Sequence, residues 1–331
     1  MLTVRGLFYY WRQIMALIPK ATKEQLQTLK DKNLVIDIDD SDVELFLEHN
    51  NYYRLRGYMT YFYTTDPVTS NEVFNGITTF SDIKNTYECD ALLRRSLRDL
   101  LEVNELSLRT IYVLYFANYY SNAYFFYEDS PFKFNDLRES KIHKVRESIK
   151  RMISSYSHSP IIRRYTIGDT CRLPSWAFIE FMTFGDISII YEATKDPLIK
   201  QLNNNHFNFP SNLSYNFLTS WIKSLNKLRN VCHHHERLFY KNFIVTPPKA
   251  YSDPFFKSIY EMNASNIGTL FTHIVISVCL CPNKEIVSHF IDSVEYLQLK
   301  FDSIDFQSAY GFPTNWNDIL QSLSGYFIKN R

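Results

Sequence analysis

Leu93, Leu97, Leu100, Asn104, Leu108 and Ile111 fall three and four residues apart, which draws one buried stripe along a single long helix. The helix is expected to begin near Ser81, whose hydroxyl can cap the amides that follow. Arg95, Arg98, Glu102, Glu105 and Arg109 form a second, wholly charged stripe on the same segment. Only 8 Gly occur in 331 residues, too few for a turn-rich β architecture or a glycine-rich nucleotide fold. The fold class that follows is all-α. Apolar residues at 45% and charged residues at 21% describe a globular chain with enough length for a large core.

Other segments carry the same period. A capping box is expected from Thr22 to Gln25, opening a short helix to about Lys32. A second helix is centred on Val43, Leu45, Phe46 and Leu47, and the aromatic run NYYRLRGYMTYFY at 51–63 fits either buried helix or irregular packing. Residues 65–80 and 154–174 read as loops, rich in breakers. Ser175 is expected to cap a helix ending near Gly185. A longer helix from about Ser214 to Tyr240 carries the stripe Phe217, Trp221, Leu225, Leu228, Cys232, His235 and Phe239. Helices resume near Asp253, after Pro247 and Pro248. The organisation expected is an N-terminal helical and aromatic region (1–80), a helical core (81–245) and C-terminal helices (246–331), all able to form one compact domain.

With 36 Lys plus Arg against 35 Asp plus Glu, the chain is no general polyanion coat, so phosphate binding has to be local. Five Cys without a CxxC pair suggest reduced thiols and a cytoplasmic location. The N-terminal run LFYYW is bracketed by Arg5 and Arg12 and is not expected to be a signal peptide. Thr110 to Tyr127 is uncharged, but its Asn, Ser and Tyr content suits a core helix better than a membrane span, so no stable membrane association is expected.

The densest chemistry lies in LRNVCHHHERL, residues 228–238. On a helix Asn230 and His234 stack four apart, as do Arg229 and His233, while Cys232 and His235 fall on the apolar stripe. Arg229 and His234 are about 140° apart around the axis, within reach of a shared cleft because Arg is long. A permanent guanidinium beside an imidazole suits phosphodiester chemistry: one holds phosphate oxygens, the other moves a proton near neutral pH. Consecutive His point about 100° apart, and HExxH spacing is absent, so neither a metal nor another cofactor is expected.

RNVCHHHERL resembles the pattern R-N-x-C-A-H-H-x-R-L of Abi-like (abortive infection) proteins, and Arg229-x4-His234 resembles the R-x4-6-H signature of HEPN-superfamily ribonucleases. NYYRLRGY at 51–58, YECDALLRRSL, EVNELSLRT and WAFIEFMTFGDIS resemble further motifs of the Abi-like family in the same order. Three positions depart from the family's patterns: His233 stands where a small residue is usual, Cys89 where Phe is, and Asn104 where an apolar residue is. The resemblance implies a HEPN-like helical bundle with additional N- and C-terminal helices. It also implies a metal-independent endoribonuclease of phage defence, acting on RNA through a site that two copies of the chain complete.

In that reading Arg229, His234 and Asn230 are catalytic, with His235 and His233 in support. Glu102, Glu105 and Arg109 either line the cleft and hold Arg229 or form a solvated face. The alternative function is a non-cleaving scaffold that binds a structured or regulatory RNA or a phage protein. Arg94, Arg95 and Arg98, or Lys144, Arg146, Lys150 and Arg151, could follow RNA phosphates or merely be solvated. Glu180 is either a supporting carboxylate or a surface one, and the tyrosines of NYYRLRGY suit the core better than a base-stacking platform.

Overall fold

A computed structural model describes residues 20–133, 136–209, 216–244 and 247–329. The LFYYW run and the Ser214 start expected for the long helix lie outside them. The architecture is all-α with two minimal hairpins, and contacts divide the chain into two units, one ending at Asp90 and one starting at Ala91.

The first unit contains α1 (Thr22–Asp31), α2 (Asp40–His49), α3 (Tyr52–Met59), β1 (Tyr63–Thr65), β2 (Glu72–Phe74) and the start of α4 (Phe80–Tyr119). The cap of α1 lies one residue earlier than the sequence suggests: Ala21 N donates to Glu24 Oε2 at 2.8 Å, and Gln25 instead reaches the Lys20 carbonyl. Asn51 opens α3, its side chain accepting from Tyr53 N. Residues 63–74 form a hairpin where a loop was the expectation, with Tyr63 paired to Phe74. α4 opens at Thr79, not Ser81, through reciprocal bonds between Thr79 and Asp82. Leu26, Leu29, Val43, Leu47, Leu55, Met59, Phe74, Phe80 and Ile83 make the core. Tyr58 belongs to it, donating to the Asp90 carboxylate at 2.6 Å, whereas Tyr53 of the same motif is exposed.

The second unit takes the rest of α4, then α5 (Asp136–Ser155), α6 (Pro160–Arg164), β3 (Thr166–Ile167), β4 (Thr170–Cys171) and α7 (Ser175–Phe178). It continues through α8 (Phe184–Ala193), α9 (Asp196–His206), α10 (Asn216–His233), α11 (Pro254–Ile259), α12 (Leu270–Leu280), α13 (Lys284–Lys300), α14 (Phe306–Tyr310) and α15 (Trp316–Leu323). Residues 154–174 are therefore structured, not a bare loop. The expected helix over the Trp176 segment breaks as well. Thr183 and Asp186 form a capping box that starts α8, so Gly185 opens a helix where its flexibility suggested an end.

Every residue of α12 is buried. Such a helix, apolar all round, forms the centre of a large helical core. α10 and α15 pack against it, and Asn104 of α4 donates to the Ser277 carbonyl (2.9 Å) and Oγ (2.8 Å). That bond explains a polar residue on the leucine stripe. α8 lies between α5 and α10, and its Glu192 reaches Lys141 on one and Lys223 on the other. Trp221, Tyr251, Phe209 and Phe327 close the other side of α10, with the Phe209 and Phe327 rings stacked at 4.2 Å. Among the described residues no helix is long and apolar enough to cross a membrane.

Candidate functional site

The histidine run sits at the end of α10, which stops at His233 rather than continuing to Tyr240. His235 takes a left-handed backbone (φ 57°), Glu236 N donates to the Val231 carbonyl at 2.9 Å, and His235 N donates to the Cys232 carbonyl at 3.3 Å. These two bonds and the left-handed residue make a Schellman termination, usually assigned to glycine. All three His are exposed, so His235 leaves the buried stripe on which helical spacing placed it. Cys232, Leu238 and Phe239 remain buried.

The environments of the three His differ. His233 Nδ1 lies 2.9 Å from the Arg229 carbonyl; since a carbonyl only accepts, Nδ1 carries a proton there. The His234 backbone N–H still bonds the Asn230 carbonyl (2.9 Å), while its ring makes no hydrogen bond among the described residues. Asn230 is half-buried one turn below.

Arg229 is held from α4. Its Nε donates to Glu105 Oε2 at 3.2 Å, and the other oxygen of Glu105 accepts from Arg109 Nη2. Glu105 is only 8% exposed, so one buried carboxylate clamps two guanidinium groups from two helices. The Nη groups of Arg229 have no acceptor among the described residues, and its side chain stays 27% exposed. The group Arg109, Glu105, Arg229 carries one net positive charge at a partly dry surface. Such a site can hold an anionic oxygen.

Glu102 is exposed and stands outside this clamp. Arg94 is 3% exposed, and its Nη1 donates to the Glu236 carbonyl at 3.2 Å, so it braces the turn after α10 and is not available to follow phosphates. The Glu236 carboxyl is held below its ordinary range by the Lys241 ammonium at 2.8 Å. The role of Arg94 was open to a finer reading of the stripe. Arg94, Leu97, Leu101, Glu105 and Leu108 share one face at spacings of three and four, which puts two charges at core positions. Glu180 is exposed. Among the described residues no three His, Cys, Asp or Glu converge as ligands for a metal ion.

The fold and this site define an all-α protein with a buried carboxylate clamp on an Arg beside a histidine-bearing helix end. The model of the family described as Abi-like protein matches residues 45–240, and the chain belongs to that family. Membership suggests a role in abortive infection. Neither a curated protein nor a solved structure matches this chain significantly.

Proposed function

We propose that the chain is a metal-independent endoribonuclease effector of abortive infection, of the HEPN kind, with Arg229 and His234 as its reacting pair. The observation that carries this reading is the Glu105 clamp: a buried carboxylate fixes Arg229 through Nε and leaves its Nη groups for a phosphate. His234, one residue past the end of α10, takes the proton of a ribose 2′-OH. The 2′-oxygen then attacks the adjacent phosphorus, the P–O5′ bond breaks, and the leaving 5′-oxygen is protonated. The products are a 2′,3′-cyclic phosphate and a 5′-OH. Arg229 neutralises the charge that grows on the non-bridging oxygens. Asn230 supports the His234 ring or the phosphate.

Base and acid are both needed, and each chain supplies one Arg-x4-His pair. A homodimer with its twofold axis near Arg229 and His234 brings a second pair to the scissile bond. The test is incubation of wild type, His234→Ala and Arg229→Ala with RNA in EDTA, with end mapping of the products. Cleavage by wild type alone, leaving cyclic phosphate ends, is expected. Equal cleavage by all three, or loss of activity in EDTA, refutes the mechanism. RNA binding without cleavage makes the chain a scaffold instead.

A further inference from the structure

Charge is balanced along the chain but not evenly spread. Residues 141–172 contain eight Lys and Arg (Lys141, Lys144, Arg146, Lys150, Arg151, Arg163, Arg164 and Arg172) against two acids, Glu147 and Asp169. Two of the cations are engaged within the fold: Lys141 with Glu192, and Arg146 with Asp129 and the carbonyls of Phe126 and Glu128. The other six are exposed on α5, on α6 and just past the β3–β4 hairpin. Arg172 is laid over the Tyr124 and Tyr127 rings, 4.6 and 5.4 Å from their centroids, which holds its guanidinium in one place.

Within this region the end of α5, α6 and the hairpin border an open concavity of about 550 Å³, lined by Lys150, Ser157, Arg163 and Asp169 over an apolar floor of Ile153, Ile162 and Cys171. Ser154 and Thr166 also line it, but their hydroxyls donate to the Lys150 and Ile162 carbonyls. Lys150, Arg163 and Ser157 are thus the donors that face a guest, Arg163 Nη2 also lying 3.4 Å from His158 Nδ1 in an exposed contact that an anion can displace. Lys150 also meets Glu147 at 2.6 Å, a pair 68% and 47% exposed that a stronger anion can displace at little cost. Tyr156, in the sequence between lining residues Ser154 and Ser157, is 57% exposed and offers a face to a base.

We infer that this concavity and its basic rim bind the phosphates of a single-stranded RNA, at a place separate from the Arg229 and His234 site. A flat cationic face would suit a lipid surface or an acidic protein. A hollow with an apolar floor and two cations at its rim, beside an aromatic exposed in the same stretch of sequence, matches a strand that alternates phosphate and base. α5 and α10 both pack on α8, so the strand would cross the same helical layer that carries the proposed cleavage site. The choice of RNA over another polyanion rests on the ribonuclease reading; the basic hollow does not.

The experiment measures binding of a labelled single-stranded RNA to His234→Ala protein, which does not consume it, across a range of salt. The same titration is made with Lys150→Ala/Arg163→Ala added, and with Lys150→Arg/Arg163→Lys added. Two lost phosphate contacts lower the salt slope by about 1.4 and the affinity roughly 25-fold at ~0.1 M salt, on counter-ion release alone. The charge-conserving pair keeps both. Equal affinity and slope for all three proteins overturns the proposal, as does a parent that binds no RNA. Loss confined to binding of phosphatidylserine vesicles, to which exposed Ile161 and Ile167 could contribute, also overturns it. Cleavage by wild type is scored separately, so normal binding without cleavage refutes the ribonuclease reading and leaves this one standing.

Discussion

Glu105→Gln tests the clamp at its centre. The side chains of Glu105, Arg109 and Arg229 are 10%, 14% and 27% exposed, so one carboxylate is shared between a nearly dry cation and a half-shielded one. Removing one partner of a fully buried pair costs about 3–5 kcal/mol. Here Gln keeps an acceptor oxygen and water reaches Arg229, which lowers the expectation to about 2–3 kcal/mol. For a domain of this size that is a fall in Tm of roughly 4–12 °C, at about 2–4 °C per kcal/mol. Glu102→Gln, exposed on the same helix, is the control and should stay within about 0.5 kcal/mol. Arg229→Met placed on Glu105→Gln should cost less than the sum of the two single changes, because the contact is already lost. Thermal melts monitored by circular dichroism give all four values. If Glu105→Gln melts with Glu102→Gln, the buried carboxylate is not holding the two guanidiniums, and the argument for a fixed Arg229 fails.

His273 lies in the first turn of α12, its ring centroid 4.4 Å from that of Phe243, with Nδ1 bonded to the Thr269 carbonyl; burial pulls its pKa from 6.5 down to about 4. Between those values the unfolded chain takes up a proton that the folded one refuses, so stability falls as pH drops from 6.5 to 4, by at most about 1.4 kcal/mol per pH unit. His273→Leu should flatten that limb in denaturant titrations; an unchanged limb assigns the acid sensitivity elsewhere. Gly311 ends α14 at φ 80°, and a Cβ there would stand 2.7 Å from Thr269 Cβ, so Gly311→Ala should destabilise by about 2 kcal/mol or more, read from the denaturation midpoint. Trp221 is fully buried, and its Nε1 donates to the Lys249 carbonyl at 2.9 Å; Trp221→Ala should cost about 3–5 kcal/mol. Trp221→Phe should cost less, and equal losses would mean that the indole's bulk contributes nothing beyond a ring.

The leucine stripe of α4 was legible because it repeats over many turns, and Leu93, Leu97, Leu100 and Leu108 are buried. Asn104 was legible only as an exception, since its partner Ser277 lies 173 residues away. Helix starts were harder to place than helices. Ala21 and Thr79 begin their helices one or two residues before the Ser or Thr that sequence favours, because the carboxylates of Glu24 and Asp82 satisfy the exposed amides. The hairpins escaped notice because strands of two or three residues leave no period to read. Within the candidate site the acidic partner of Arg229 was one of two readings of a charged stripe. Burial separates Glu105 from Glu102, and burial depends on which helix packs where.

The end of α10 decides what a run of three identical side chains can do. A helix continued to Tyr240 would drive His235 into the apolar stripe beside Cys232 and Phe239. The left-handed turn at His235 prevents this: it releases the chain, leaves Cys232 and Phe239 in the core, and exposes the whole run. His233 then spends Nδ1 on the Arg229 carbonyl, the last-turn carbonyl of the same residue whose side chain Glu105 clamps. Arg229 is thereby tied at both backbone and side chain, which limits how far its Nη groups can move. The His234 ring makes no internal hydrogen bond among the described residues, and it stands five residues after that fixed cation and one residue past the helix. A general base needs a lone pair that reaches substrate and a nearby positive charge for the phosphate. In the proposed mechanism His234, free of the carbonyl bond that holds His233, would supply the first, and the Arg229 that Glu105 clamps would supply the second.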